Sequence, residues 1–184
     1  MRWIWIDRVV EVLPGAHIVA VKHVSLSEEH LLDHFGRDET GCAMPVMPAS
    51  LIIEGVAQTA GILLGVADGF REKIVLAKIS RAELTRDAMP GATLRYTAKA
   101  THQGAQGAAI SAIIEVRDAS DPSGPFETAG FVDLMFSFLD KNMSGLDFPA
   151  DNFVFGETFQ TLLRASGVSP TMSRGERADS ASGR

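Results

Sequence analysis

Cysteine is almost absent: Cys42 is the one example in 184 residues. An internal disulfide is therefore excluded, and the composition suits a reducing compartment. Basic charge is also scarce, with 17 Lys and Arg against 23 Asp and Glu and a formal net charge of −6. A nucleic-acid binder wants a basic face, so no nucleic-acid partner is expected. The opening MRWIWIDR holds only the four apolar residues Trp3 to Ile6 before Asp7, too few for the apolar region of a signal peptide. A membrane span needs about 20 predominantly apolar residues, and the longest apolar run here is interrupted by polar groups, so no membrane span is expected. A soluble, cytoplasmic protein is the expectation. The length suits one domain with an appendage, and an apolar fraction of 46% is ample for a core.

That longest apolar run is Pro45 to Asp68, PVMPASLIIEGVAQTAGILLGVAD. Pro45 and Pro48 punctuate its approach, Ser50 is the expected N-cap, and Asp68-Gly69 closes it. Its apolar residues fall on every side of the helical wheel, as in a buried helix. Glu54, Gln58 and Thr59 are the polar exceptions, and glycines at 55, 61 and 65 allow close packing. Glu54 is thus an ionisable group near the N-terminal end of a buried helix. Burial penalises its charge and the helix N-terminus favours it, and a carboxyl pulled both ways is a candidate acid or base.

The remaining chain reads as strands. Trp3 to Val12 and His17 to Val24, joined at Pro14-Gly15, form an expected hairpin in which Ile18, Ala20, Lys22 and Val24 share one face. Glu28 to Phe35 is an expected short helix, and 36–44 a loop. After Gly69, strands are expected at Ile74 to Leu84, Ala92 to His102, Ala108 to Val116 and Phe126 to Leu139. These runs exceed the usual five or six residues, so bends are expected. Their turns are too short for parallel crossovers, so the sheet is antiparallel. The fold class is α+β, a long central helix against an antiparallel sheet. Phe155 to Ser166 reads as a short amphipathic helix with Phe155, Phe159, Leu162 and Leu163 on one side, and Ser169 to Arg184 as a disordered tail.

Four segments carry a family likeness: IDRVVEVLPG, the run Asp33-His34-Phe35, PVMPASLIIEGVAQTAG and AMPGATLRY. Together they resemble the FabZ-type 3-hydroxyacyl-[acyl-carrier-protein] dehydratases over about residues 3–139. The resemblance implies a hot-dog fold for residues 1–140, followed by the extension 141–168 and the tail 169–184. It implies dehydration of 3-hydroxyacyl thioesters to trans-2-enoyl thioesters in fatty acid biosynthesis. Such a reaction needs a base at C2, an acid for the departing C3 hydroxyl, and donors for the thioester oxygen. By the resemblance, His34 and Glu54 are catalytic and the donors fall at Ala49 and Ser50. Gln58, one turn after Glu54, is expected in the substrate site, where it orients that carboxyl; the other reading is that it satisfies helix contacts. The implied partner is an acyl carrier protein bearing a phosphopantetheine thioester. The implied assembly is a homodimer, with a trimer of dimers left open, in which His34 faces Glu54 of the partner subunit. Neither cofactor nor metal is expected. His30 and His34 have ligand spacing beside Glu29 and Asp33, but no third cluster supports them.

Two departures from the family pattern stand out. Gly36 replaces a proline, and nine residues, 36–44, separate Phe35 from Pro45 where the family has three; Ala49 replaces a glycine. Lys78, Arg81 and Arg86, in the basic stretch that begins at Arg71, are candidates for carrier binding; the other reading is a solvated strand edge. An acyl thioesterase and a non-catalytic acyl-binding protein remain the alternatives on the same fold.

Overall fold

The computed structural model describes residues 3–33, 39, 45–139 and 155–168. His34, Cys42, the loop expected at 36–44 apart from Glu39, and the expected tail lie outside the described residues, as do the side chains at 32 and 33.

Six strands form one antiparallel sheet: β1 Arg8–Leu13, β2 His17–His23, β3 Lys73–Leu84, β4 Thr93–Gly104, β5 Gly107–Arg117 and β6 Glu127–Leu139. Their spatial order is β1-β2-β4-β5-β6-β3. The two expected strands, the helix and the four further strands are all present. The expected bends are register shifts, at Leu76/Lys78 and Ile79/Arg81 in β3, Ala100/His102 in β4 and Thr128/Gly130 in β6, opposite Ile114 and Glu115. Such bulges locally increase twist and bend a strand, which curves the sheet around the helix it covers.

That helix is α2, Ala49–Asp68, with 12 of its 20 residues buried. Its start differs from expectation. Pro48, not Ser50, is the N-cap, with φ −56° and ψ 134° and no side-chain cap bond. Proline fixes φ and cannot continue a helix backward, and its carbonyl accepts the Leu51 and Ile52 amides at 2.9 and 3.2 Å. Ser50 becomes the second helical residue. The end is as expected: Gly69 adopts φ 66°, the left-handed cap glycine tolerates at low cost. Among the described residues Phe70 is the one non-glycine with positive φ, so Ala49 stands in its position without backbone strain.

Two of the three helix glycines admit neighbours closely. A Cβ on Gly55 would meet the Trp5 carbonyl and the Tyr96 ring at 2.8 Å, and one on Gly65 would meet Phe70 at 2.6 Å and Phe155 at 3.0 Å. Gly61 departs from that expectation: nothing lies within 4 Å of its would-be Cβ. The inner face of β2 is Ile18, Ala20 and Lys22, continued by Val24 just past its end, all buried. Buried Lys22 is neutralised locally: its Nζ donates to Glu28 Oε1 and to the His23 carbonyl, both at 2.7 Å, with Asp7 Oδ1 at 3.5 Å. This cluster ties the start of the short helix α1, Glu29–Asp33, to β2. The C-terminal helix α3, Glu157–Ala165, buries Leu162 and Leu163 as its pattern implied. Ser166 Oγ accepts the Val9 amide at 3.0 Å, which fixes α3 to β1.

Candidate active site

Glu54, Ala57, Gln58 and Gly61 stand at i, i+3, i+4 and i+7 and so share one face of α2. Glu54 is half-buried, and its Oε1 accepts the Gln58 amide at 2.9 Å. The same Gln58 Nε2 donates to the Trp3 carbonyl at 2.8 Å, while Gln58 Oε1 accepts the Trp5 amide at 2.9 Å. Gln58 therefore stitches the N-terminal segment to α2 and holds the Glu54 carboxyl in one orientation. All three of its bonds are to the protein itself.

Glu54 opens onto an apolar cleft of about 220 Å³, walled by Trp3, Gly61, Leu76, Phe136, Phe155 and Phe159. One end is polar, at Glu54 and Gln58, and the remainder is aliphatic and aromatic. That division suits a ligand with a reacting polar head and a hydrocarbon tail.

Ala49 and Ser50 head α2, and both are exposed. A helix N-terminus presents unpaired N–H groups and the positive end of the dipole. Glu54 follows five residues after Ala49, about 7.5 Å along the axis at 1.5 Å per residue. A second cleft, of about 310 Å³, brings Ala49, Val46 and Ile52 together with Leu84 and Arg86. A third lies between the first turn of α2 and α1, bordered by Leu51, Glu29 and His30, with Trp5 edge-on to the His30 ring at 4.9 Å. His34 follows the last residue of α1 and lies outside the described residues. Among the described residues no three potential ligands cluster around a metal position.

The basic stretch is largely compensated. Arg81 donates to both Glu83 carboxylate oxygens, at 2.9 and 2.7 Å, and stands 5.5 Å over the Phe131 ring. The hydrogen bond and charge of Arg81 hold the Glu83 carboxyl below its usual value. Arg86 pairs with Glu127, and Arg71 with Asp68 at 3.1 Å. Lys78 is exposed on β3, opposite Met135 of β6.

Three features of the site carried no functional expectation from sequence: the backbone clamp of Trp3 and Trp5 on Gln58, the open space over Gly61, and the Phe155–Phe159 wall. The wall had a visible signal, the amphipathic spacing of 155–166. The clamp had none, since it joins residues 53 and 55 positions apart.

Comparison with known proteins agrees with this architecture. Among solved structures, a chain of the dehydratase heterocomplex ApeI:P from Xenorhabdus doucetiae superposes with TM-score 0.54 at 17% identity, covering 76% of this chain and 85% of that one. A hypothetical thioesterase with coenzyme A from Streptococcus pneumoniae gives TM-score 0.51 at 11% identity, covering 72% and 84%. At such identities the likeness establishes the fold alone, and the fold is the hot-dog fold. The FabA-like domain model matches residues 3–120, and the chain belongs to that family. Its relatives include the 3-hydroxyacyl-[acyl-carrier-protein] dehydratase FabZ of Ruminiclostridium cellulolyticum, 37% identical over 95 residues, 51% of this chain and 63% of the relative. The enzyme of that name from Streptococcus agalactiae is 36% identical over 120 residues, 65% of this chain and 81% of the relative. The match thus spans somewhat over three fifths of the length of the first of these relatives.

Proposed function

We propose that this protein is a 3-hydroxyacyl-[acyl-carrier-protein] dehydratase, a hydro-lyase of fatty acid biosynthesis, working without cofactor or metal. The observation that carries the reading is Glu54, held by Gln58 at the polar end of an apolar cleft and one and a half turns from the exposed start of α2. The amides of Ala49 and Ser50 hold the thioester oxygen, whose negative charge grows as the C2 proton leaves. His34 takes that proton. The C3–O bond then breaks, and Glu54 protonates the departing hydroxyl, which leaves as water. Gln58 acts through Glu54 as a positioning residue. Proton return from His34 to Glu54 through solvent resets the site. Domain limits follow: 1–140 the catalytic domain, 141–168 an extension, 169–184 a tail.

The working unit in this reading is a cytoplasmic homodimer in which His34 faces Glu54 of the partner subunit. Support comes from β3, which among the described residues ends the sheet with an unpaired edge and exposes Leu76 and Ile79. The partner is an acyl carrier protein, steered by Lys78, Arg81 and Arg86 near the Ala49 cleft. The test mixes His34→Ala with Glu54→Gln subunits, each inactive alone. Recovery of enoyl-thioester hydration supports a shared site; no recovery in demonstrated heterodimers refutes it. Release of free thiol from the substrate would instead favour a thioesterase.

A further inference from the structure

We propose that the C-terminal helix α3 sets the length of acyl chain accepted at Glu54, with Phe159 as the limiting residue. This deepens the dehydratase reading and rests on it. The helix lies outside the region matched by the family model, residues 3–120.

The space runs along one face of α2. From Glu54 to Gly61 is seven residues, about 10 Å at 1.5 Å per residue. Over Gly61 the space is open. One turn further, at Gly65, it is filled by Phe70 and Phe155. A chain whose reacting carbons sit at Glu54 therefore runs about 10 Å along α2 to Gly61, between the aromatic side walls of the cleft, before Phe70 and Phe155 close the space at Gly65. The cleft volume of about 220 Å³ falls below the roughly 300–1,000 Å³ of ordinary ligand pockets, so a short acyl chain fits as the wall now stands.

The wall is a docked element. Phe155 is 5% exposed and meets Phe70 edge-on at 4.8 Å. Leu162 and Leu163 are buried, and Ser166 is bonded to β1. Phe159 differs: it is half-buried, edge-on to Phe155 at 5.9 Å, and it lines the same cleft as Gly61. It can be shortened without removing the anchors that hold α3.

The experiment uses the full chain and trans-2-enoyl pantetheine thioesters from butenoyl to dodecenoyl. Phe159→Ala should raise the kcat/KM ratio of long to short substrates about fourfold for each further methylene accommodated. Gly61→Leu, which fills the cleft from the other wall and leaves α3 intact, should lower that ratio. Binding of the saturated butanoyl-to-dodecanoyl thioesters, read by quenching of Trp3 and Trp5 fluorescence, gives the second readout. If the wild type hydrates no enoyl thioester, the dehydratase reading fails, yet the binding preference must still lengthen with Phe159→Ala. An unchanged length preference in both variants, or no binding of any acyl thioester by the wild type, overturns the assignment of α3.

Discussion

Replacing Gln58 by Met tests the clamp that orients Glu54. Methionine is unbranched, similar in length and a good helix former, so the change removes polarity with little change of shape. Three hydrogen bonds go: those to the Trp5 amide, the Trp3 carbonyl and the Glu54 carboxyl. The Trp5 amide lies in a buried setting, and an unpaired buried donor costs about 1–3 kcal/mol. The other two partners are part-buried, where water can substitute, and each bond is worth about 0.5–1 kcal/mol. The sum is about 3 kcal/mol. For a chain of this size, about 2–4 °C of melting temperature is lost per kcal/mol, so a fall of about 6–12 °C is expected in calorimetry. Freed from Gln58, the Glu54 carboxyl drifts, and a misplacement near 1 Å costs about a hundredfold in rate. Glu54→Gln should instead change stability little, because only one of the three bonds touches Glu54. A double-mutant cycle with Glu54→Gln should show coupling in activity. A melting temperature within about 2 °C of wild type would refute the reasoning, because it would mean the three bonds are not made in solution.

Gly55→Ala should destabilise, by up to about 2 kcal/mol net, because the overpacking of a Cβ at 2.8 Å from the Trp5 carbonyl and Tyr96 exceeds the gain in helix propensity; a melting temperature at or above wild type would contradict it. Tyr96 is the single tyrosine; burial, then the charges of Asp7 and Glu28, push its phenol far above the usual value near 10. A raised folded-state value means its stabilisation is complete below about pH 10 and is lost as pH rises beyond it. Tyrosinate absorbance should therefore appear only together with loss of circular dichroism, and ionisation near pH 10 with the fold intact would contradict this. Carrier-bound substrate should lose efficiency as ionic strength rises while pantetheine substrates do not. Because Glu83 and Glu127 already pair with Arg81 and Arg86, the effect should be modest, and reversal of Arg81 and Arg86 to Glu should weaken only the carrier-bound reaction; equal salt effects on both substrates would remove the patch from the account.

The fold was legible because its signals are local and periodic. Alternation in β2 and β4, the all-round apolar wheel of α2 and the short turns of the later strands each act within one element, and together they admit one layer arrangement. What escaped was one local choice of backbone and several long-range contacts. Ser50 has the side chain of an N-cap, yet Pro48, two residues earlier, already fixes the backbone that starts the helix. Three glycines of equal appearance in sequence divide into two that admit neighbours and one, Gly61, that faces a void, because that depends on what Tyr96, Phe70 and Phe155 bring from other elements. Lys22 fell on the inner face of β2 by alternation, but its neutralisation by Glu28 and Asp7 required the fold. Glu54 was singled out by being an acid in an apolar run, and Gln58, one turn on, as a residue able to orient it; the hold of the Trp3 and Trp5 backbone on Gln58 was visible only in three dimensions.

The most direct test of the central claim follows hydration of trans-2-butenoyl pantetheine by loss of its enoyl-thioester absorbance, with the wild type beside Glu54→Gln. The account predicts turnover by the wild type to the 3-hydroxyacyl thioester, no release of free thiol, and at least about a hundredfold loss in Glu54→Gln with the melting temperature nearly unchanged. A wild type that leaves the substrate intact or liberates free thiol, or a Glu54→Gln variant within a few-fold of wild type, would contradict it.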